Sequence, residues 1–167
     1  EIEKMLGLFH ELGVVLYFGS SVRLKEIVIS RPEWLIEKLT LIICDKQVCS
    51  YDDTDKLHAA QLTDDLNYFL QEGILSRDLL EFLWGKSQVE YLIELTRQLM
   101  LLSEWKFSKD EQYLVPSMVS SIKTPVMLSG VRFTLKFDFL PQGIFERLCC
   151  LCVSYSSSLQ KKVTPKL

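Results

Sequence analysis

Histidine is scarce in this sequence, and the cysteines are poorly placed for any framework. His10 and His58 are the only two histidines, and the single CxxC spacing, Cys149 to Cys152 within CCLC, has no second pair to complete a site. A structural zinc site needs several well-spaced ligands, so this chemistry is excluded from the expected functions. The five cysteines are Cys44, Cys49, Cys149, Cys150 and Cys152. Their odd number and clustering fit free thiols in a reducing, intracellular setting. Apolar runs are also short. None approaches the ~18 residues of a membrane-spanning helix, and LTLIIC, Leu39 to Cys44, has the length of the buried part of a helix. A secretory leader is missing from the opening EIEKMLG, which has no initiator Met and reads as a piece of a longer protein.

Phosphate-loop chemistry is the next absence. The tripeptide Gly85-Lys86-Ser87 resembles the end of a nucleotide-binding loop, but position 80 carries Leu where GxxxxGK[ST] requires glycine. The segment before it, LLEFLW, reads as helix. Gly85 is therefore expected to be a helix terminator and Lys86 a solvated charge. No Ser–His–Asp order or paired-carboxylate motif is recognisable. The acidic run YDDTD, with Asp52, Asp53 and Asp55, lacks the glycine and distal glutamate of a calcium loop. No catalytic, metal or cofactor residue is assigned, and the chain is read as non-enzymatic.

What is present is an apolar share of 48% and a charged share of 25% over 167 residues, the profile of a globular protein. Charge is unevenly spread. Residues 1–122 carry 12 Lys+Arg and 20 Asp+Glu, a net of −8, whereas residues 123–167 carry 7 and 2, a net of +5. The less patterned SSIKTPVMLSG between them reads as a linker. The expected organisation is a first unit over 1–122, a linker over 123–130, and the opening of a second α+β unit with a polar tail over 131–167.

Periodicity gives the elements of the first unit. Ile2, Met5, Leu6, Phe9 and Leu12 share one face of a helix that Gly13 stops. VVLYF (Val14–Phe18) and EIVIS (Glu26–Ser30) read as strands. Ser30 and Glu33 fit a capping box, with Pro32 in the first turn, for a helix that buries Trp34, Leu35, Leu39, Ile42 and Ile43. Residues 45–56 read as a polar loop, with His58 also placed in a loop. Helices are expected over Leu62–Gln71, over RDLLEFLW after a Ser76 cap, and over Gln88–Gln98 with Val89, Leu92, Ile93 and Leu95 inward. A hairpin pairs Leu99–Phe107 with Gln112–Val115. VRFTLKFDF then alternates as a half-buried strand, and a helix follows Pro141. Helices followed by a hairpin, with a small strand near the start, form a winged-helix-like, mostly helical α+β pattern.

Many winged helices bind DNA through basic surfaces. Here the recognition-helix candidate, Lys86 to Gln98, sets Glu90 and Glu94 against Lys86 and Arg97. Phosphate contacts drive non-specific affinity, so nucleic-acid binding is the alternative reading and not the leading one.

Five ordered motifs carry a family resemblance. They are LGVVLYF (Leu12–Phe18), EIVISRPEWLIEKLTLII (Glu26–Ile43), EGILSRDLLEFLWG (Glu72–Gly85), QYLVPSMV (Gln112–Val119) and FDFLPQGIFERLCCL (Phe137–Leu151). Together they resemble the COR domain of Roco proteins, the segment C-terminal to the Roc GTPase, with the animal leucine-rich-repeat members as the nearest group. The resemblance implies a COR-A-like winged-helix subdomain that packs on Roc, and the beginning of a COR-B-like subdomain that mediates homodimerisation of the full-length protein. It implies a cytoplasmic signalling protein that binds GTP or GDP elsewhere, with no cofactor in this segment; the charge and the short apolar runs add the expectation of no nucleic-acid partner and no membrane span. The expected Roc-facing surface comprises Leu12, Val14, Tyr17, Phe18, Trp34, Leu35 and Lys38, with Trp84 as an edge anchor.

Overall fold

The structure is a computed structural model that describes residues 1–19, 21–43, 54–119, 130, 134–139 and 141–159. Over these residues the protein is an α+β fold, mostly helical, with seven helices and two small antiparallel sheets. Helix α1 (Ile2–Glu11) leads into β1 (Leu16–Tyr17), which pairs with β2 (Val28–Ile29) in the register Leu16 to Ile29 and Tyr17 to Val28. Helix α2 (Pro32–Thr40) follows.

Pro32 opens α2 as expected, since its missing N–H would have no helical partner there. The capping box does not form. Arg31 is the N-cap, and no side chain caps the helix. The helix also ends at Thr40, whose hydroxyl donates to the Glu37 carbonyl at 2.8 Å. Ile42 is nevertheless fully buried beyond that end, so the apolar run continues into the core without remaining helical. The expected loop around His58 is instead α3 (Thr54–Ala59). Its one core residue among the described side chains is Leu57, too few apolar positions to generate a helical period.

The central part of the chain is organised by local signals that its residues state openly. Helix α4 (Thr63–Glu72) ends at Gly73, which takes φ +72° and donates its N–H to the Phe69 carbonyl at 2.8 Å. Most residues are strained in this left-handed conformation, and glycine is not. After β3 (Ile74–Ser76), the Ser76 hydroxyl accepts the Leu79 N–H at 3.2 Å and caps α5 (Arg77–Trp84). Such a cap contributes about 1 kcal/mol. Helix α6 (Val89–Gln98) turns Val89, Leu92, Ile93 and Leu95 into the core, and also Tyr91 and Thr96. The Thr96 hydroxyl satisfies itself on the Leu92 carbonyl at 2.7 Å.

Strands β4 (Ser103–Trp105) and β5 (Gln112–Leu114) complete a three-stranded sheet in the order β3-β5-β4. β5 lies in the middle, with Leu114 opposite both Ile74 and Ser103. The main core joins Phe69, Leu79, Leu80, Trp84, Leu92 and Leu95, all essentially without solvent exposure. Each such side chain contributes about 1.5–3 kcal/mol by leaving water.

Beyond the sheet the residues diverge from expectation. Of the predicted strand VRFTLKFDF, the described residues 134–137 are neither helix nor strand, and Asp138 and Phe139 form a bend. No neighbouring strand pairs with them among the described residues, and alternation alone does not satisfy backbone groups. The helix expected after Pro141 is α7 (Ile144–Ser158), whose N-cap is Gly143. It packs on β4. Val153 joins Ile74, Trp105 and Leu114 in a second apolar cluster, and the Ser103 hydroxyl lies 3.1 Å from that of Ser154. The expected linker lies outside the described residues except for Gly130.

Candidate functional site

The expected GTPase-facing residues divide sharply by burial. Tyr17, Leu35 and Trp84 are 8%, 5% and 1% exposed. They are core residues, and an anchor role for Trp84 at an edge is corrected by this burial. Its indole N–H donates to the Lys38 carbonyl at 2.9 Å, which ties α5 to α2. Phe18 and Trp34 are half-buried and pack against the same core. Lys38 is half-buried as well. Only Leu12 and Val14, at 65% and 57% exposed, turn their side chains to solvent.

These two are continuous in sequence with an apolar face whose unburied state was not evident from periodicity. Helix α1 contains no buried residue, and Ile2, Met5, Leu8 and Phe9 are exposed together with Leu12 and Val14. The apolar face that reads as a core stripe therefore faces solvent. The helix is held to β1 at its C-terminal end. There the His10 and Phe18 rings lie 5.8 Å apart, and the Tyr17 N–H reaches His10 Nδ1 at 3.5 Å.

A second arrangement lies between β2, the start of α2 and the start of α6. A cleft of about 340 Å³ is lined by Val28, Arg31, Trp34, Ser87, Gln88 and Tyr91, among others. The Tyr91 hydroxyl and Gln88 Oε1 are buried without a hydrogen-bond partner among the described residues. Burial pushes the Tyr91 phenol up from its ordinary range. Tyr91 has no motif around it; the available signal was an aromatic with a polar tip in the first turn of an otherwise apolar helix face.

Electrostatic pairing is concentrated elsewhere. Arg77 hydrogen-bonds Glu81 at 3.1 Å, Glu90, and Glu111 at 3.5 Å, joining α5, α6 and the start of β5. Burial alone would lower the Arg77 pKa, but the bonds to Glu90 and Glu81 outweigh it and raise it. Arg97, on the outer side of α6, pairs with Glu104 at 2.8 Å. Lys106 pairs with the other oxygen of Glu104, also at 2.8 Å. The Lys106 hydrogen bond holds the Glu104 carboxyl below its usual range against the opposing effect of burial.

The Gly85-Lys86-Ser87 sequence follows the end of α5, and Leu80 is fully buried inside that helix. Gly85 is the C-cap of α5 and takes φ +85° with ψ 142°, a backbone region open mainly to glycine. Asp52 and Asp53 lie outside the described residues. Among the described residues no group of three or more His, Cys, Asp or Glu is placed to hold a metal ion, and no helix is long and apolar enough to cross a membrane. Cys149, Cys150 and Cys152 are free thiols, with burial pushing Cys150 up to about 11. No known protein family, curated protein or solved structure matches the chain.

Proposed function

We propose that this chain is a non-catalytic regulatory module of the COR type, which couples an adjacent Roc GTPase domain to dimerisation and cytoplasmic signalling. The observation that carries the reading is the solvent-facing apolar side of α1, from Ile2 through Leu12 to Val14. A contiguous exposed apolar surface is a marker of a protein interface. The order α4-β3-α5-α6-β4-β5, with strands arranged β3-β5-β4, is that expected of a winged helix and supports the COR-A assignment. The nucleotide state of the GTPase would shift its contacts with α1, and the bias would pass through β1 to the helical core.

Nucleic-acid binding is the less favoured reading. The outward residues of α6 are Glu90, Glu94, Arg97 and Gln98, and Arg97 is already engaged by Glu104. A duplex would meet acidic groups at the position where a reader helix needs cations.

The test is a binding titration between this chain and the domain encoded immediately before it, in the GDP and GTP-analogue states. Met5→Asp together with Leu12→Asp is expected to weaken binding about tenfold or more, a loss of about 1.4 kcal/mol or more. Because α1 buries no residue, the same variant is expected to melt with the parent. Equal affinity of variant and parent would sink the reading, as would an upstream domain that binds no nucleotide.

A further inference from the structure

We infer that the cleft between β2 and the starts of α2 and α6 is a docking site for an extended acidic peptide segment of a partner protein. Four features converge on it. First, the Tyr91 hydroxyl and Gln88 Oε1 are buried there without partners among the described residues, and Tyr91 as a whole is 8% exposed. Buried polar groups are almost always hydrogen-bonded, so an unpaired donor and an unpaired acceptor lining one cleft mark the place of a missing partner. A peptide group supplies both complements, an acceptor for the hydroxyl and a donor for the carboxamide oxygen.

Second, the cleft wall over residues 27–31 is extended chain at β2, and among the described residues β2 has a strand on one side only. Addition of a peptide strand to such an edge is a recurrent mode of recognition. Third, Arg31 lines the cleft, is exposed, and forms no ion pair among the described residues. Fourth, Arg31 and Gln88 open α2 and α6, and neither helix has a side-chain cap. Pro32 has no N–H, Trp34 donates to the Arg31 carbonyl and Val89 to the Gly85 carbonyl, so among the described residues the first-turn N–H groups left as donors for a carboxylate are those of Glu33 in α2 and of Glu90 and Tyr91 in α6. Glu33 and Glu90 lie in the same first turns but outside the lining, and Glu90 is held by Arg77. The half-buried Trp34 supplies an apolar wall for the peptide's aliphatic side chains.

This surface is distinct from the α1 face, and its test needs no GTPase. The probe is a blocked hexapeptide of alternating Val and Asp, titrated into the isotope-labelled chain and followed by amide chemical shifts. Saturable shifts are expected at Val28, Trp34, Ser87 and Tyr91. Arg31→Glu should weaken them about tenfold, and Tyr91→Phe about threefold, as expected for one charge-assisted and one neutral hydrogen bond. Tyr91→Phe should leave the melting temperature equal or higher, because it removes an unpaired buried hydroxyl. The inference is overturned by absent shifts, by equal shifts from a Val/Lys hexapeptide, or by binding that Arg31→Glu leaves unchanged. It is also overturned if acetate alone reproduces the shifts, which would make this a small-anion site, or if Tyr91→Phe lowers the melting temperature.

Discussion

The indole N–H of Trp84 and the backbone carbonyl of Lys38 meet at 2.9 Å across 46 residues of sequence. This bond fixes the end of α5 against α2 and gives a fully buried tryptophan its only polar requirement. Trp84→Phe removes the donor, leaves the carbonyl unpaired and opens space in the core. The expected loss is about 2–3 kcal/mol, the sum of an unmade bond and a small cavity. Chemical denaturation would measure it, and an unchanged midpoint would contradict the packing described above.

Arg77 is the centre of a second restraint. Three carboxylates, on Glu81, Glu90 and Glu111, converge on one guanidinium whose side chain is 20% exposed. Arg77→Met retains the aliphatic packing and leaves the three acids facing one another. A loss of about 1–3 kcal/mol is expected, between exposed and buried ion-pair values. Added salt should recover part of it by screening the acids. A loss insensitive to salt would assign the effect to packing alone.

Tyr113 gives an alkaline signature. Burial, followed by its hydrogen bond to Glu111, pushes its phenol from 10.0 up to about 12. The unfolded chain therefore loses this proton before the folded protein does. Stability contributed by Tyr113 is complete below pH 10 and is lost as pH rises towards about 12. Denaturation midpoints measured across that window should fall, and Tyr113→Phe should flatten the fall. A slope unaffected by the substitution would place its origin in other groups.

Two glycines with nearly equal φ separate backbone strain from crowding. Gly13 and Gly73 sit at φ +71° and +72°, but a Cβ at Gly13 meets open space, whereas one at Gly73 lies 3.0 Å from the Val119 backbone nitrogen. Gly13→Ala should cost about 1–2 kcal/mol for the left-handed conformation. Gly73→Ala should cost clearly more, since Val119 must also move. Equal costs in thermal unfolding would show that Val119 yields freely.

Segments that state their own boundaries were legible in the sequence. From Gly73 to Gly85, a helix stop, a serine cap and a second helix stop all act within a few residues, and each sits where the pattern placed it. The hairpin between β4 and β5 was legible too, although β4 begins at Ser103 and not at Leu99, which caps α6 instead. Ser30 and Glu33 had the spacing of a capping box, yet the chain enters α2 one residue later, at Arg31. Spacing does not fix entry geometry. The apolar stripe of α1 had a clear helical period, but period reports only that a face exists and not what covers it. The cleft at Tyr91 had no local signal, because its walls are some 60 residues apart and were joined only by packing. Likewise, the jump in charge near residue 122 carried no information about where α7 would settle.

The contact between α7 and β4 has a mechanical consequence. Val153 and Ser154 grip the edge strand of the three-stranded sheet, and Trp105 lies beneath them. A pull on the C-terminal end of α7 would load β4 through Ser103 and Trp105, and the shared apolar cluster would carry it to Ile74 of β3 and Leu114 of β5. Anything tethered beyond this helix is thus geared to the sheet, and also to the Pro116–Met118 turn, whose Met118 lies in the core with Trp84.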